Sequence, residues 1–164
     1  MTFSRVFFLV LLTLSLSCVK YSFRGALPSY LKTIYIEDFQ NQTSYAGVRE
    51  EFMDDVTQAF ISDNSLRVIN NSNDADLILS GDITSIRKQP VSITQTEQVQ
   101  QFQMVVTIKA ECMNTHTQKP LWSSSLQRYG IIPGNALQDD IDNAIAVAIG
   151  QIVDDIINNT VAAW

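Results

Sequence analysis

FQMVVTIKAECM, residues 102–113, is the stretch that decides the fold. Phe102, Met104, Val106, Ile108, Ala110 and Cys112 alternate with Gln103, Thr107, Lys109 and Glu111, the period of two that gives a strand one apolar face and one polar face. Residues 77–88 before it read as a second strand, with Gly81 marking a bulge or a close backbone approach. Residues 121–129 after it read as a third, carrying Trp122 and broken at Gly130 to Asn135. Short connections make these three an antiparallel meander. Gln89-Pro90 ends the second strand, and residues 91–100, polar and Gln/Thr-rich, extend the two strands they join as a hairpin arm or stay mobile.

On either side of the meander the period changes to that of a helix. Ile141, Ile145, Ala148, Ile152 and Ile156 form one stripe over residues 136–162, widened by Ile149 and Val153. Asp139, Asp140 and Asp142 fall in its first turns, where the helix dipole favours negative charge, and Asn135 is placed to cap it. Upstream, Val48, Phe52, Val56, Ala59 and Phe60 recur at helical spacing over residues 45–62. Residues 31–39 read as a strand and residues 66–69 as a short one, the least defined. The order is β-α-β-β-β-β-α. Each helix has one apolar stripe, so the reading is an α+β fold: an α/β sandwich with two helices on one face of a mixed sheet of about four strands.

The N-terminus has a different character. Arg5 precedes an almost wholly apolar run, residues 6–16, too short for the ~20 residues that a membrane span needs. It ends in Leu-Ser-Leu-Ser-Cys at Cys18. This is the shape of a signal peptide, residues 1–17, with a lipobox-like cysteine. The position three before the cysteine is Ser15, where the usual lipobox has Leu. Lipid on Cys18 anchors the chain, because each buried methylene contributes ~0.8 kcal/mol. The other reading is cleavage near Ser17 with Cys18 left as a thiol, which leaves a Cys18–Cys112 bridge open. Residues 18–30 are then a lipidated tether and residues 31–164 one domain.

The chain carries 11 Lys/Arg against 17 Asp/Glu, a net charge of -6. Losing Arg5 makes that about -7, which argues against nonspecific nucleic-acid binding. Nothing in the chain requires a cofactor beyond the lipid on Cys18, nor a metal. His116, the one histidine, stands alone in Asn-Thr-His-Thr-Gln and reads as a solvated turn residue. The acidic pairs Glu50-Glu51, Asp54-Asp55, Asp139-Asp140 and Asp154-Asp155 read as solvated helix faces, and Cys112 as a buried thiol. With no phosphate loop, nucleophile elbow or Cys-x-x-Cys, the chain reads as a binding protein, not an enzyme. Arg87, Lys88, Lys109 and Lys119 are candidates for a cationic patch on the meander, against a scatter of solubilising charges.

Several pieces resemble the LptE family of lipopolysaccharide-assembly lipoproteins. They are Tyr21-Ser22-Phe23-Arg24-Gly25, Leu31 to Ile36, Asp38-Phe39-Gln40-Asn41-Gln42-Thr43, Ala75 to Ile83, and Thr117-Gln118-Lys119-Pro120-Leu121-Trp122. The resemblance implies an α/β sandwich at the periplasmic face of the outer membrane that plugs the LptD β-barrel and helps place lipopolysaccharide in the outer leaflet. Lipopolysaccharide and an LptD-like barrel are then its partners, and Arg87, Lys88, Lys109 and Lys119 its candidate lipid-binding residues. Synthase activators and curli-secretion lipoproteins share some of these patterns and supply the alternative.

Overall fold

A computed structural model describes residues 27–91 and 101–161. Six strands form one sheet: β1 (Thr33–Ile36), β2 (Gln40–Asn41), β3 (Arg67–Val68), β4 (Leu77–Pro90), β5 (Phe102–Asn114) and β6 (Lys119–Ile132). The helices are α1 (Val48–Asp63) and α2 (Gln138–Val161), with a 3-10 turn at Ser72–Asp74. The strand order is β3-β1-β4-β5-β6, and β2 pairs with β4. β1 runs parallel to β3 and β4; β4, β5 and β6 are an antiparallel meander. The two-helix, mixed-sheet class is therefore as the periodicity predicts, with six strands where about four were expected.

The differences have local causes. β1 is four residues long, because beyond Ile36 the chain leaves β1 and then re-pairs briefly with β4 as β2. β2 is polar and two residues long, so no alternation announces it. β6 runs on through Gly130 to Ile132, where sequence chemistry suggested a break. Gly130 is there for contact, not for a turn. A Cβ on it would run into the Ala144 carbonyl oxygen and lie 2.6 Å from Ala144 Cα. α2 starts at Gln138, and the Asp140 carboxylate accepts from Leu137 N at 2.9 Å, so the capping role expected of Asn135 falls to Asp140.

Gly81 likewise marks a close approach: a Cβ there would meet the Lys109 carbonyl oxygen and the Phe39 ring. The bulge lies three residues on, at Thr84, where pairing steps from Ile83↔Ile108 to Ser85↔Thr107. Thr84 Oγ1 donates to the Thr107 carbonyl at 3.1 Å. One extra residue reverses which side each later residue faces. Before it Leu77, Leu79 and Ile83 are buried, and after it Ile86 packs on the core.

One face of the sheet holds the core. Met104, Val106, Ile108 and Cys112 of β5 are fully buried with Ile145, Ile149, Ile152 and Ile156 of α2 and Phe52, Val56 and Phe60 of α1. Each such aliphatic side chain contributes ~1.5–3 kcal/mol on burial. α2 packs on β5, β6 and α1. It is long and apolar enough by composition to cross a membrane, with a mean hydropathy of 1.2 over its best window, yet its apolar stripe lies against the sheet.

Two glycines should respond oppositely to the same change. Gly130→Ala forces α2 off β6 and should lower stability by ~1–3 kcal/mol. Gly150→Ala, with nothing within 4 Å of the new methyl, should raise it by up to ~1 kcal/mol through helix propensity. Urea unfolding midpoints of the two variants check both signs.

Candidate functional site

The other sheet face carries no helix among the described residues, and its side chains follow from the strand registers. Its rows across β4, β5 and β6 include Arg87–Val105–Tyr129, then Asp82–Lys109–Ser125, then Ser80–Glu111–Ser123. The two serine-containing rows line an open depression of about 470 Å³. Lys109 stands in it, opposite Asp82 and beside Glu111. At the far end Tyr129 and Ile131 are 51% and 59% exposed. This face is therefore polar in the middle, with a cation and exposed apolar side chains at one end.

The four candidate cations do not share one patch. Arg87 and Lys109 lie on this open face, separated by four positions along β5, or about 13 Å. Lys88 emerges on the opposite side, with its ammonium 4.3 Å from the centre of the Phe102 ring, a cation–π contact. Lys119 stands at the start of β6 opposite Asn114, five positions beyond Lys109. All four are exposed, and none makes an ion pair with a described carboxylate. Cys18 lies outside the described residues, as do residues 92–100; Val91 N donates to Gln101 O at 2.9 Å, one step beyond β4 and β5.

A second cluster gathers at the opposite end of the sheet, where β1 begins. Asp76 Oδ2 accepts from Lys32 N at 2.9 Å, Thr33 N at 3.0 Å and Thr33 Oγ1 at 2.9 Å. His116 Nε2 donates to Asp76 Oδ1 at 2.7 Å. The Tyr30 ring meets the His116 ring edge-on, with centroids 5.5 Å apart. Asn114 Oδ1 accepts from His116 N and Thr117 N, which shapes the β5–β6 turn. His116 is thus half-exposed in a turn, as read from sequence, but it also holds a carboxylate 40 residues upstream. That link carries no local sequence signal.

Burial alone would raise the Asp76 pKa. The Lys32 amide, then His116 and Thr33, outweigh that and hold it at about 2, below the usual 3.8. The cluster joins the start of β1 to the start of β4 and to the β5–β6 turn. The Thr33 hydroxyl donates to Asp76, and the Thr115 hydroxyl to the Ala75 and Asp76 carbonyls. The cluster is a structural clamp.

The remaining titratable candidates are dispersed. Glu50 is held low by its exposed hydrogen bond from Arg49, which also pairs with Asp38 at 2.8 Å. Glu51 is raised by burial and by Asp55 and Asp142, an acidic seam between α1 and α2. Among the described residues no three His, Cys, Asp or Glu side chains are placed to hold a metal. Cys112 is fully buried, and burial pushes its thiol up to about 12. Trp122 lies beside it on the helix-covered side, where its Nε1–H donates to Thr160 Oγ1 at 3.1 Å.

Fold and surface together define a one-sided α/β sandwich: a sheet with one dry face, one open face and a structural clamp where β1 begins. The model of the lipopolysaccharide-assembly family LptE matches residues 31–160, and the chain belongs to that family. No curated protein matches it in sequence. Among solved structures it is similar to a minor lipoprotein from Acinetobacter baumannii, with a TM-score of 0.59 at 11% identity over 80% of this chain and 93% of that one. The rare lipoprotein B from Shewanella oneidensis gives 0.52 at 11% over 79% and 93%. A PelC dodecamer subunit from Paraburkholderia phytofirmans gives 0.56 at 13% over 80% and 87%. At these identities the likenesses are of fold.

Stability should fall in acid through Asp76. Its folded pKa lies below its unfolded value, so the unfolded chain binds the extra proton between about pH 4 and pH 2. The contribution, about 2 kcal/mol for a side chain 18% exposed, is complete above that window and is lost as pH falls through it. Asp76→Asn should remove this part of the acid limb and weaken unfolding resistance at neutral pH. Urea midpoints measured from pH 2 to pH 7 test it, and an unchanged acid limb would contradict the clamp.

Proposed function

We propose that the chain is an outer-membrane lipoprotein that partners and plugs an LptD-type β-barrel during lipopolysaccharide assembly. The family match over residues 31–160 carries this reading. Residues 1–17 are removed, residues 18–30 form the lipidated tether with acyl chains on Cys18, and residues 31–164 form one sandwich domain on the periplasmic face. The role is binding and positioning, not catalysis.

The architecture supports it. β1 begins at the clamp end, so the point where the chain enters the sheet and the sheet's far end are separated by the 14 residues of β4, about 46 Å. The open face offers the barrel wall and the lipid a polar surface with Arg87 and Lys109 as the cations suited to phosphate groups. Lys88 and Lys119 flank it from the other side and from the strand start. The secretion or synthase-activator reading rests on the short sequence patterns shared with those lipoproteins.

Three measurements test it. Mass spectrometry of the mature N-terminus should show Cys18 carrying diacylglyceryl and amide-linked acyl chains, and Cys18→Ser should release the protein from membranes. Capture from intact membranes should yield an outer-membrane barrel, and depletion should lower surface lipopolysaccharide. Recovery of a periplasmic synthase with no barrel would sink the proposal. Arg87→Glu with Lys109→Glu should weaken lipopolysaccharide binding several-fold at low salt, with a smaller difference at high salt, because exposed charges are screened within ~8–10 Å.

A further inference from the structure

β6 (Lys119–Ile132) is the terminal strand of the sheet, and its outer edge is long. The opposite edge, β3, is two residues long and carries exposed Arg67. Folded proteins protect a free edge by shortness, charge, proline or a bulge. β6 has Pro120 and a bulge opposite Cys112 and Met113 at its start. From Leu121 to Gln127 it has none: Leu, Trp, Ser, Ser, Ser, Leu, Gln, seven residues without a charge. Among the described residues its backbone takes one bond from outside the β5 ladder, from Arg128 Nη1 to the Gln127 carbonyl at 2.9 Å. Arg128 itself is engaged by α2, its Nη2 lying 2.7 Å from Asp155 Oδ2.

We infer that β6 is a self-pairing edge, and that a second copy of this chain adds its own β6 antiparallel to it, so that the two sheets continue into one. The inference stands on the fold alone and holds whether or not a barrel is the partner. Charge decides the occupant. The chain is acidic overall and repels its own kind elsewhere; on this edge that repulsion is absent.

Antiparallel pairing about an axis normal to the sheet keeps each face in register with itself. Centred on Ser125, near the middle of the strand, it sets Arg128 against Trp122 of the second copy. Tyr129 then faces Leu121. No like charges oppose. The arginine meets an aromatic ring, and Tyr129, exposed in the monomer, gains an apolar partner. A closed barrel wall has no free edge to offer in exchange, which leaves a second copy as the fitting partner.

The test centres on Ser125, exposed and opposite Lys109 in the same chain. Ser125→Glu favours the monomer through Lys109 and sets two carboxylates against each other across the axis. The full mature chain in detergent should sediment at twice its chain mass, and the Ser125→Glu variant at once its chain mass while still unfolding in one cooperative transition. Ser125→Cys should give an intermolecular disulfide under mild oxidation that the parent chain does not, since directly opposed residues lie ~4.5–5.5 Å apart, within disulfide reach. A monomeric parent chain overturns the inference, as does a dimer whose Ser125→Cys form does not cross-link. Where the charged variant does not fold, the disulfide decides.

Discussion

The approach of α2 to β6 at Gly130 and Ala144 governs the rest of the molecule. A 24-residue helix needs somewhere to bury Ile145, Ile149, Ile152 and Ile156, and β5 presents the matching row of Met104, Val106, Ile108 and Cys112. Without a side chain at Gly130 the helix backbone lies directly against the strand. That closeness aligns α2 with the sheet, places Thr160 within reach of Trp122, and brings Asp155 to Arg128. It also commits both helices to one side. A sheet covered on one side leaves the other to solvent or to a partner, and it leaves β6 as a bare edge. The surfaces with functional interest are the remainder of this packing solution.

The bulge at Thr84 then determines what the open side contains. In an unbroken β4, Arg87 would share a side with Leu77, Leu79 and Ile83 and would point at the helices. The extra residue turns Arg87 outward beside Val105 and Tyr129, and turns Ile86 inward to the core. A single inserted residue thus decides the polarity of both faces over the distal third of the strand. Charge on the open face is a product of strand register and cannot be counted from composition.

These dependencies explain what the sequence disclosed. The period of two in residues 102–113 and the period near 3.6 in residues 141–156 are repeated many times, so they identified the meander, the long helix and the side on which the core lies. Adjacent strand residues point to opposite faces, so Arg87 and Lys88 were separable by parity alone. What hid the correct assignment of the faces was the bulge, which sits at an ordinary Thr. Gly130 misled because turn chemistry and close packing both select glycine. β2 was invisible because two polar residues have no period. The Asp76–His116 link joins positions 40 apart, and nothing local marks either one. Of the candidate cations, exposure was legible and grouping was not, since grouping depends on register across three strands.

The clamp and the free edge constrain how the proposed anchor can be used. Cys18 and Thr33 are 15 positions apart in the sequence, so the tether reaches at most about 50 Å, at ~3.3–3.6 Å per residue. It enters through Lys32 and Thr33, whose amides are held by Asp76, so any pull from the membrane is delivered to the clamp rather than to the core. A single copy can stand with its strands upright and its distal end far from the lipid, as a barrel plug requires. Two copies joined through antiparallel β6 strands send their entry ends in opposite directions along the sheet. With the strands upright, the second anchor reaches the same bilayer only with its tether near full extension; with the strands along the surface both reach it easily. The two arrangements orient the same domain about a quarter turn apart, so a copy paired through β6 is not a copy standing in a barrel. Pairing and plugging are then successive or alternative states.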